Sequence, residues 1–405
     1  MKKNLIYFPL TLICLLFLCF CHMANRPAEP IAQSTVSEIP PDHIPPSSTA
    51  TPSLALNAAG ACLMDASSGR VLYGKKENEA LPMASTTKIM TCILALENGN
   101  LKDTVTFSEK ATSMPKVHLG AGKGKSFLLQ DLLYSLMLES HNDTAVAIAE
   151  HIGGSVEGFA AMMNAKAAEL EMHQTNFVTP NGLDAEGHQS TPADMCRLAI
   201  YACQNEMFLH IISTPSVTIR DTDSQTCYSL TNHDTFLTSY DGALGIKTGF
   251  TGKAGYCFVG AAKRENRTLV SCVLASGWPP NKTYKWTDTK TLMNYGFQNF
   301  NWKTPTIKDL SSYKIRITEG KSSSVGVFTP DISSILLGTS DTVDIEYSLP
   351  GEVSAPVKTD IAIGEITISV NGSPLAVYPL YPEKDVEKET FRDLFSQIFE
   401  LFLSF

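Results

Sequence analysis

Ser85-Thr86-Thr87-Lys88 is the stretch on which the reading of this chain turns, because two further polar signatures follow it in order, Ser140-His141-Asn142 and Lys247-Thr248-Gly249. Singly, each is weak: S-x-x-K recurs at Ser113–Lys116 and Ser311–Lys314, and S-x-N at Ser369–Asn371. Only the first trio runs in one order ahead of a sole KTG. Together the three supply a nucleophilic hydroxyl, two amines, a second hydroxyl for proton relay and a glycine-bearing strand. Those are the parts of a serine acyl-transfer enzyme.

The local settings support that use. Ser85 and Lys88 are three residues apart, so on a helix they share a face and the ammonium reaches the hydroxyl. Pro82 before them and the apolar run Ile89–Leu96 after them place the pair at the start of a buried helix. Free backbone N–H groups there can stabilise an oxyanion. An ordinary lysine is a poor base at neutral pH, but burial and a second cation lower its pKa, and Lys247 is the candidate cation.

Ser140-His141-Asn142 falls between two helical segments, Leu128–Leu138 and Asp143–Ile152, and is expected to project from a loop into a cleft. Ser140 then passes a proton to a leaving amine and Asn142 hydrogen-bonds a substrate amide, while His141 reads as structural. At Gly249 a missing side chain lets an edge strand approach a peptide-like ligand, with Lys247 and Thr248 offering a cation and a hydroxyl to a carboxylate.

Outward from these motifs, 405 residues exceed what one core ordinarily holds, so two folded units with tails are expected. Hydrophobic content of 43% against 18% charged describes a globular chain. A net charge of −9 without a basic run argues against nucleic acid as a partner. Lys2 and Lys3 ahead of the apolar run Leu5–Cys21 make residues 1–24 an export signal. It is either cleaved or retained as an anchor, and at about 17 residues it is short for a span. Residues 25–53, with Pro27, Pro30, Pro40, Pro41, Pro45, Pro46 and Pro52, read as an extended tether. The cysteines outside the signal are odd in number and lack C-x-x-C, so they are expected as free thiols in the core. The histidines show no metal spacing, and no metal or cofactor is expected.

Across residues 54–300, helices lie between early strands (Ala61–Asp65 and Arg70–Tyr73, turning at Ser67-Ser68-Gly69) and late ones (Gly255–Ala262 and Thr268–Ala275). This order predicts an α+β unit whose sheet pairs its two ends. Over residues 304–380 the runs Tyr313–Ile317, Val343–Tyr347 and Ile366–Val370 alternate apolar with polar, and Asn371-Gly372 turns into Leu375–Tyr378. A small all-β domain serving as a spacer is expected. Residues 386–405 form an amphipathic helix with Phe391, Leu394, Phe395, Ile398, Phe399, Phe402 and Phe405 on one face. That face is expected to lie in a membrane interface, although Glu387, Glu389, Asp393 and Glu400 depart from the usual basic pattern.

In these residues the chain resembles the low-molecular-mass penicillin-binding proteins, the serine-type D-alanyl-D-alanine carboxypeptidases. The likeness covers residues 54–300. It includes Asp65-Ala66-Ser67-Ser68-Gly69-Arg70-Val71-Leu72-Tyr73, the surroundings of Ser85 from Met83 to Thr91, Asn181-Gly182-Leu183-Asp184-Ala185-Glu186-Gly187-His188, and Lys247-Thr248-Gly249-Phe250-Thr251-Gly252-Lys253-Ala254-Gly255-Tyr256. The resemblance implies a transpeptidase/β-lactamase-like catalytic domain, an antiparallel sheet with a helical region, on the outer face of a bacterial cytoplasmic membrane.

It also implies the chemistry. Ser85 would attack the bond between two D-alanines at the end of a peptidoglycan pentapeptide, Lys88 would take the Ser85 proton, and Ser140 would relay one to the departing D-alanine. The backbone N–H groups of Ser85 and Phe250 would form the oxyanion hole, and Lys247 and Thr248 would hold the terminal carboxylate. β-Lactams would acylate Ser85. A further cation near the late strand is expected from Lys282 or Lys285, and His141 replaces the glycine of some members. A serine β-lactamase would need a carboxylate to activate the deacylating water, for which Glu139 is not an obvious candidate. A non-catalytic wall-binding module would not require the intact set of Ser85, Lys88, Ser140 and Lys247. An endopeptidase cutting cross-links stays open.

Overall fold

The computed structural model describes residues 53–403, so the export signal and nearly all of the tether lie outside the described residues. The chain enters through a hairpin of β1 (Gly60–Asp65) and β2 (Val71–Lys75). Asp65 builds its turn, since one carboxylate oxygen accepts from the Ser67 and Ser68 hydroxyls and the Ser68 amide. A 3₁₀ turn, Ala84–Thr87, then leads into α1 (Lys88–Asn98).

The helical region follows. It opens with the paired strands β3 (Thr104–Thr106) and β4 (Ser126–Leu128), with a short α2 (Glu109–Thr112) between them. Next come α3 (Leu129–Tyr134), α4 (Asn142–Gly153), α5 (Val156–Glu169), α6 (Pro192–Ala202) and α7 (Glu206–Ser213). Local chemistry sets several starts. The Ser155 and Thr191 hydroxyls accept from the Gly158 and Asp194 amides, and Pro192 occupies the first turn of α6. A hairpin, β5 (Ser216–Arg220) and β6 (Cys227–Thr231), and the short α8 (Phe236–Ser239) close the region.

The single helix expected over Leu128–Leu138 is subdivided. Leu128 ends a strand paired with Thr104, and the helix starts at Leu129. Residues Ser135–Glu139 widen into a π turn that ends on Ser140 at φ 65°. A wide turn of this kind re-aims the backbone, and here it delivers the S-x-N loop.

Three late strands complete the sheet: β7 (Ala243–Thr251), β8 (Gly255–Arg264) and β9 (Arg267–Leu274), followed by α9 (Tyr284–Asn299). The order is β2-β1-β9-β8-β7, antiparallel throughout, with Cys62 opposite Cys272 where early and late chain meet. Side chains alternate between the two faces of a strand. Cys62 and Met64 therefore pack into the helical region, while Ala61 and Leu63 pack with Leu292, Met293 and Phe297 of α9. The expected α+β layering is present, with β7 at the sheet edge.

A second unit begins at β10 (Phe300–Lys303) and continues through β11 (Lys314–Thr318), β12 (Ser324–Phe328), β13 (Ile335–Gly338), β14 (Val343–Ser348), β15 (Glu352–Ser354), β16 (Gly364–Val370) and β17 (Ser373–Pro382). Asn371 and Gly372, at φ 53° and 80°, make the turn their sequence predicts. The two units are fastened by Arg70, which donates to the Leu336 carbonyl at 2.7 Å and pairs with Asp341 at 2.8 Å, both side chains buried. α10 (Phe391–Leu403) follows, its first turn capped by Thr390 and Asp393. Phe391, Phe395, Ile398, Phe399 and Phe402 of this helix are exposed. No helix among the described residues is long and apolar enough to cross a membrane. The seven described cysteines are free thiols, and five of them are buried.

Candidate active site

Ser85 lies in the 3₁₀ turn and Lys88 is the first residue of α1, so the serine stays half-buried at a surface while the lysine is fully enclosed. Lys88 Nζ donates to Ser85 Oγ at 2.9 Å, to Asn142 Oδ1 at 2.9 Å and to the Asn181 carbonyl at 2.7 Å. Three ammonium protons thus meet three acceptors. Burial holds the Lys88 pKa well below the ordinary lysine value, the charge of Lys247 lowers it further, and Asp143 opposes both. Lys247, the second cation expected from sequence, thus acts electrostatically on Lys88.

Asn142 opens α4, and its amide Nδ2 donates to the Pro115 carbonyl at 3.2 Å. In this state both ends of its amide group are engaged. His141 is structural, as its position suggested: its Nδ1 lies 2.8 Å from the Ser135 hydroxyl, and burial pushes its pKa down to about 4. Ser140 is half-buried, and its hydroxyl makes no hydrogen bond among the described residues. Glu139 is turned away, accepting from the Thr231 amide and pairing with His233 at 2.7 Å.

The strand β7 passes directly over the Ser85 turn. A Cβ added at Gly249 would lie 2.9 Å from the Ser85 amide nitrogen and 3.1 Å from the Met83 carbonyl oxygen. The sequence reading assigned that missing side chain to ligand approach. In the structure its first effect is on the protein itself, bringing strand and turn into contact. Lys247 is buried, Thr248 is half-buried and Phe250 is exposed. Lys247 Nζ donates to the Thr248 carbonyl at 3.2 Å, and burial lowers its pKa to about 8.

Three features of the site had no residue-type signal in the sequence reading. The first is the Asn181 carbonyl, which also accepts from Ser85 Oγ at 3.3 Å. Gly182, at φ 82°, holds it there, because a side chain at 182 would meet the Ala84 carbonyl oxygen at 1.9 Å. The Asn181-Gly182 pair was the available clue. The second is Asp234, whose charge acts on Lys247; burial raises its carboxyl to about 7, and its Oδ2 is buried without a partner among the described residues. The third is His188, taken up below. Of the two candidates for a further cation, Lys282 is exposed. Lys285 is buried, its Nζ donating to the Lys282 carbonyl and sitting over the rings of Tyr256 and Trp286, and its charge acts on Asp234.

A buried lysine hydrogen-bonded to a serine on a turn edged by a KTG strand is the arrangement on which family comparison can be set. The family model described as D-alanyl-D-alanine carboxypeptidase matches residues 47–277. The chain belongs to this family. A second model, the C-terminal domain of penicillin-binding protein 5, matches residues 300–388. Among curated relatives, the D-alanyl-D-alanine carboxypeptidase DacF of Bacillus subtilis is 31% identical over 84% of this chain and 89% of its own length. DacC of Escherichia coli, with the same designation, is 29% identical over 81% and 84%. Among solved structures, penicillin-binding protein 5 of Haemophilus influenzae superposes with a TM-score of 0.68 at 26% identity, covering 83% of this chain and 99% of that one. The Streptomyces K15 DD-transpeptidase superposes at 0.57 and 31%, covering 62% and 100%. Family membership thus extends through both units, in agreement with the fold expected from sequence.

Proposed function

We propose that the chain is a serine-type D-alanyl-D-alanine carboxypeptidase, releasing the terminal D-alanine of peptidoglycan stem peptides through an acyl-enzyme on Ser85. The observation that carries this reading is the triple coordination of Lys88 Nζ by Ser85, Asn142 and Asn181. When the ammonium loses one proton, the two asparagine oxygens retain the remaining N–H groups and the lone pair faces Ser85 Oγ. The depressed pKa of Lys88 makes that state more accessible than it is for an ordinary lysine.

Lys88 then accepts the Ser85 proton as Oγ bonds to the carbonyl carbon between the two D-alanines. The oxyanion is met by the N–H groups of Ser85 and Phe250. Ser140 passes its proton to the departing nitrogen as the C–N bond breaks and takes back from the Lys88 ammonium the proton that came from Ser85, and water then hydrolyses the ester to return Ser85. Lys247 and Thr248 hold the terminal carboxylate, Gly249 lets the strand close on the turn, and Asn142 turns Nδ2 from Pro115 to the substrate amide. β-Lactams acylate Ser85 by the same attack and persist.

Around this unit, residues 1–24 direct export and 25–53 tether residues 54–300 at the outer face of the membrane. Residues 304–380 act as a spacer, and the helix within 386–405 lies in the membrane interface through its exposed phenylalanines. Mass spectrometry after incubation with labelled penicillin is expected to find the adduct on the peptide containing Ser85. Release of D-alanine from a D-Ala-D-Ala pentapeptide should vanish in Ser85→Ala. An adduct on another residue, or D-alanine release persisting in that variant, would overturn the assignment.

A further inference from the structure

His188 lies in the loop that follows Asn181 and is 6% exposed, its ring set against Thr87 of the Ser85 turn. Its hydrogen bonds determine one another. Thr87 Oγ1 has a single proton, and that proton goes to the Ala84 carbonyl at 2.8 Å. At 2.9 Å from His188 Nε2, Thr87 Oγ1 therefore accepts, and Nε2 carries the imidazole hydrogen. Nδ1 is then bare, and it accepts from the Val178 amide at 3.0 Å and the Thr179 amide at 3.4 Å. One neutral tautomer satisfies all three partners of the ring.

The two ends of this imidazole hold the two halves of the Lys88 environment. Through Thr87 and Ala84 it braces the 3₁₀ turn that presents Ser85. Through Val178 and Thr179 it braces the loop whose next residues carry the Asn181 carbonyl onto Lys88 and the Pro180 carbonyl onto the Thr91 hydroxyl. Burial pushes the His188 pKa down to about 4, with Asp184 on its own loop opposing, which keeps it neutral at working pH.

We infer that His188 is a positioning residue for acylation, acting through Thr87 and the Asn181 loop to hold the Ser85 hydroxyl and the Lys88 amine in register. The inference rests on the reading of Ser85 as nucleophile. A protonated imidazole, or a side chain lacking either nitrogen function, releases one of the two halves, and the lone pair of Lys88 no longer aims at Oγ.

The test measures penicillin acylation of the full chain together with kcat and KM for D-alanine release. Thr87→Ser keeps the hydroxyl and is expected to stay within about twofold of the parent; Thr87→Val removes it and should lower acylation and kcat about tenfold or more with KM little changed. His188→Asn retains an acceptor for the two amides, but its shorter amide NH2 does not reach Thr87 in place of Nε2, and it should match Thr87→Val. The double variant should be no worse than either single one, because both break one network. The Thr87 pair decides the matter even if His188→Asn does not fold. Full acylation by Thr87→Val, or equal losses in Thr87→Ser and Thr87→Val, overturns the inference. A parent enzyme that penicillin does not acylate on Ser85 overturns the functional reading beneath it instead.

Discussion

Lys88 and Lys358 carry the same ammonium into opposite settings, one enclosed beneath the cleft, the other on the surface of the β unit. Lys358 pairs with Asp385 at 2.8 Å, about half exposed, and the hydrogen bond raises its pKa. Lys88 meets no carboxylate among its hydrogen-bond partners; its oxygens come from Ser85, Asn142 and Asn181, and burial beside Lys247 lowers its pKa. A surface pair is solvated with or without its partner, so it gains little from pairing. A buried ammonium without a counter-ion is costly, and that cost makes it ready to give up its proton. The cleft thus holds an ammonium at a cost in stability, whereas the surface pair of the β unit leaves stability nearly untouched.

The largest effect should come from breaking the cleft side of that contrast. Lys88→Met is expected to lower penicillin acylation about 10²–10⁴-fold, the range a positioned proton acceptor supplies. Its melting temperature should stay level or rise, since a buried charge is replaced by an apolar chain of similar length. Loss of folding together with activity would show that the ammonium is structural.

Next comes Arg70, the buried cation that does have a counter-ion. Arg70→Met leaves Asp341 enclosed without its partner, and should cost about 3–5 kcal/mol in denaturant unfolding. Acylation of the folded fraction should be unchanged, because the pair joins the units at the β1–β2 end of the sheet, whereas Ser85 sits against β7. An unchanged unfolding midpoint would sink the view of Arg70 as the fastening between units.

Lys247→Gln sharpens the comparison more subtly. The Lys247 charge lowers the Lys88 pKa, so removing it raises that pKa and leaves less free amine at a given pH. The acid limb of the acylation–pH profile should move to higher pH. A shift to lower pH would contradict the coupling. The smallest effect belongs to the surface: Lys358→Ala should change neither melting temperature nor acylation measurably, and a clear loss would mean the pair is not a solvated one.

Much of the architecture is legible in the chain because it is written in local patterns. The hairpin at Ser67-Gly69, the alternation in β14 and β16, the Asn371-Gly372 turn and the Phe-rich helix each depend on a few neighbouring residues. The break at Leu128 was not legible, because an apolar run is compatible with strand or helix until its partner, Thr104, is known. Within the site, Lys88 and Lys247 were readable as a pair through their motifs. Asn181 acts through its carbonyl oxygen, which every residue has, and Asp234 acts through burial, which only the packed fold creates.

By itself the order of residues determined which groups this protein has for chemistry and on which kinds of element they ride, since spacing along a helix or strand is set by local geometry. What only the tertiary structure decided is the environment that each S-x-x-K lysine meets. Ser113–Lys116 and Ser311–Lys314 share the S-x-x-K pattern of Ser85–Lys88, yet only Lys88 is walled off from water beside Lys247 and given three uncharged oxygens. Proton affinity depends on surroundings contributed by residues 142, 181 and 247, and their convergence is a property of the fold.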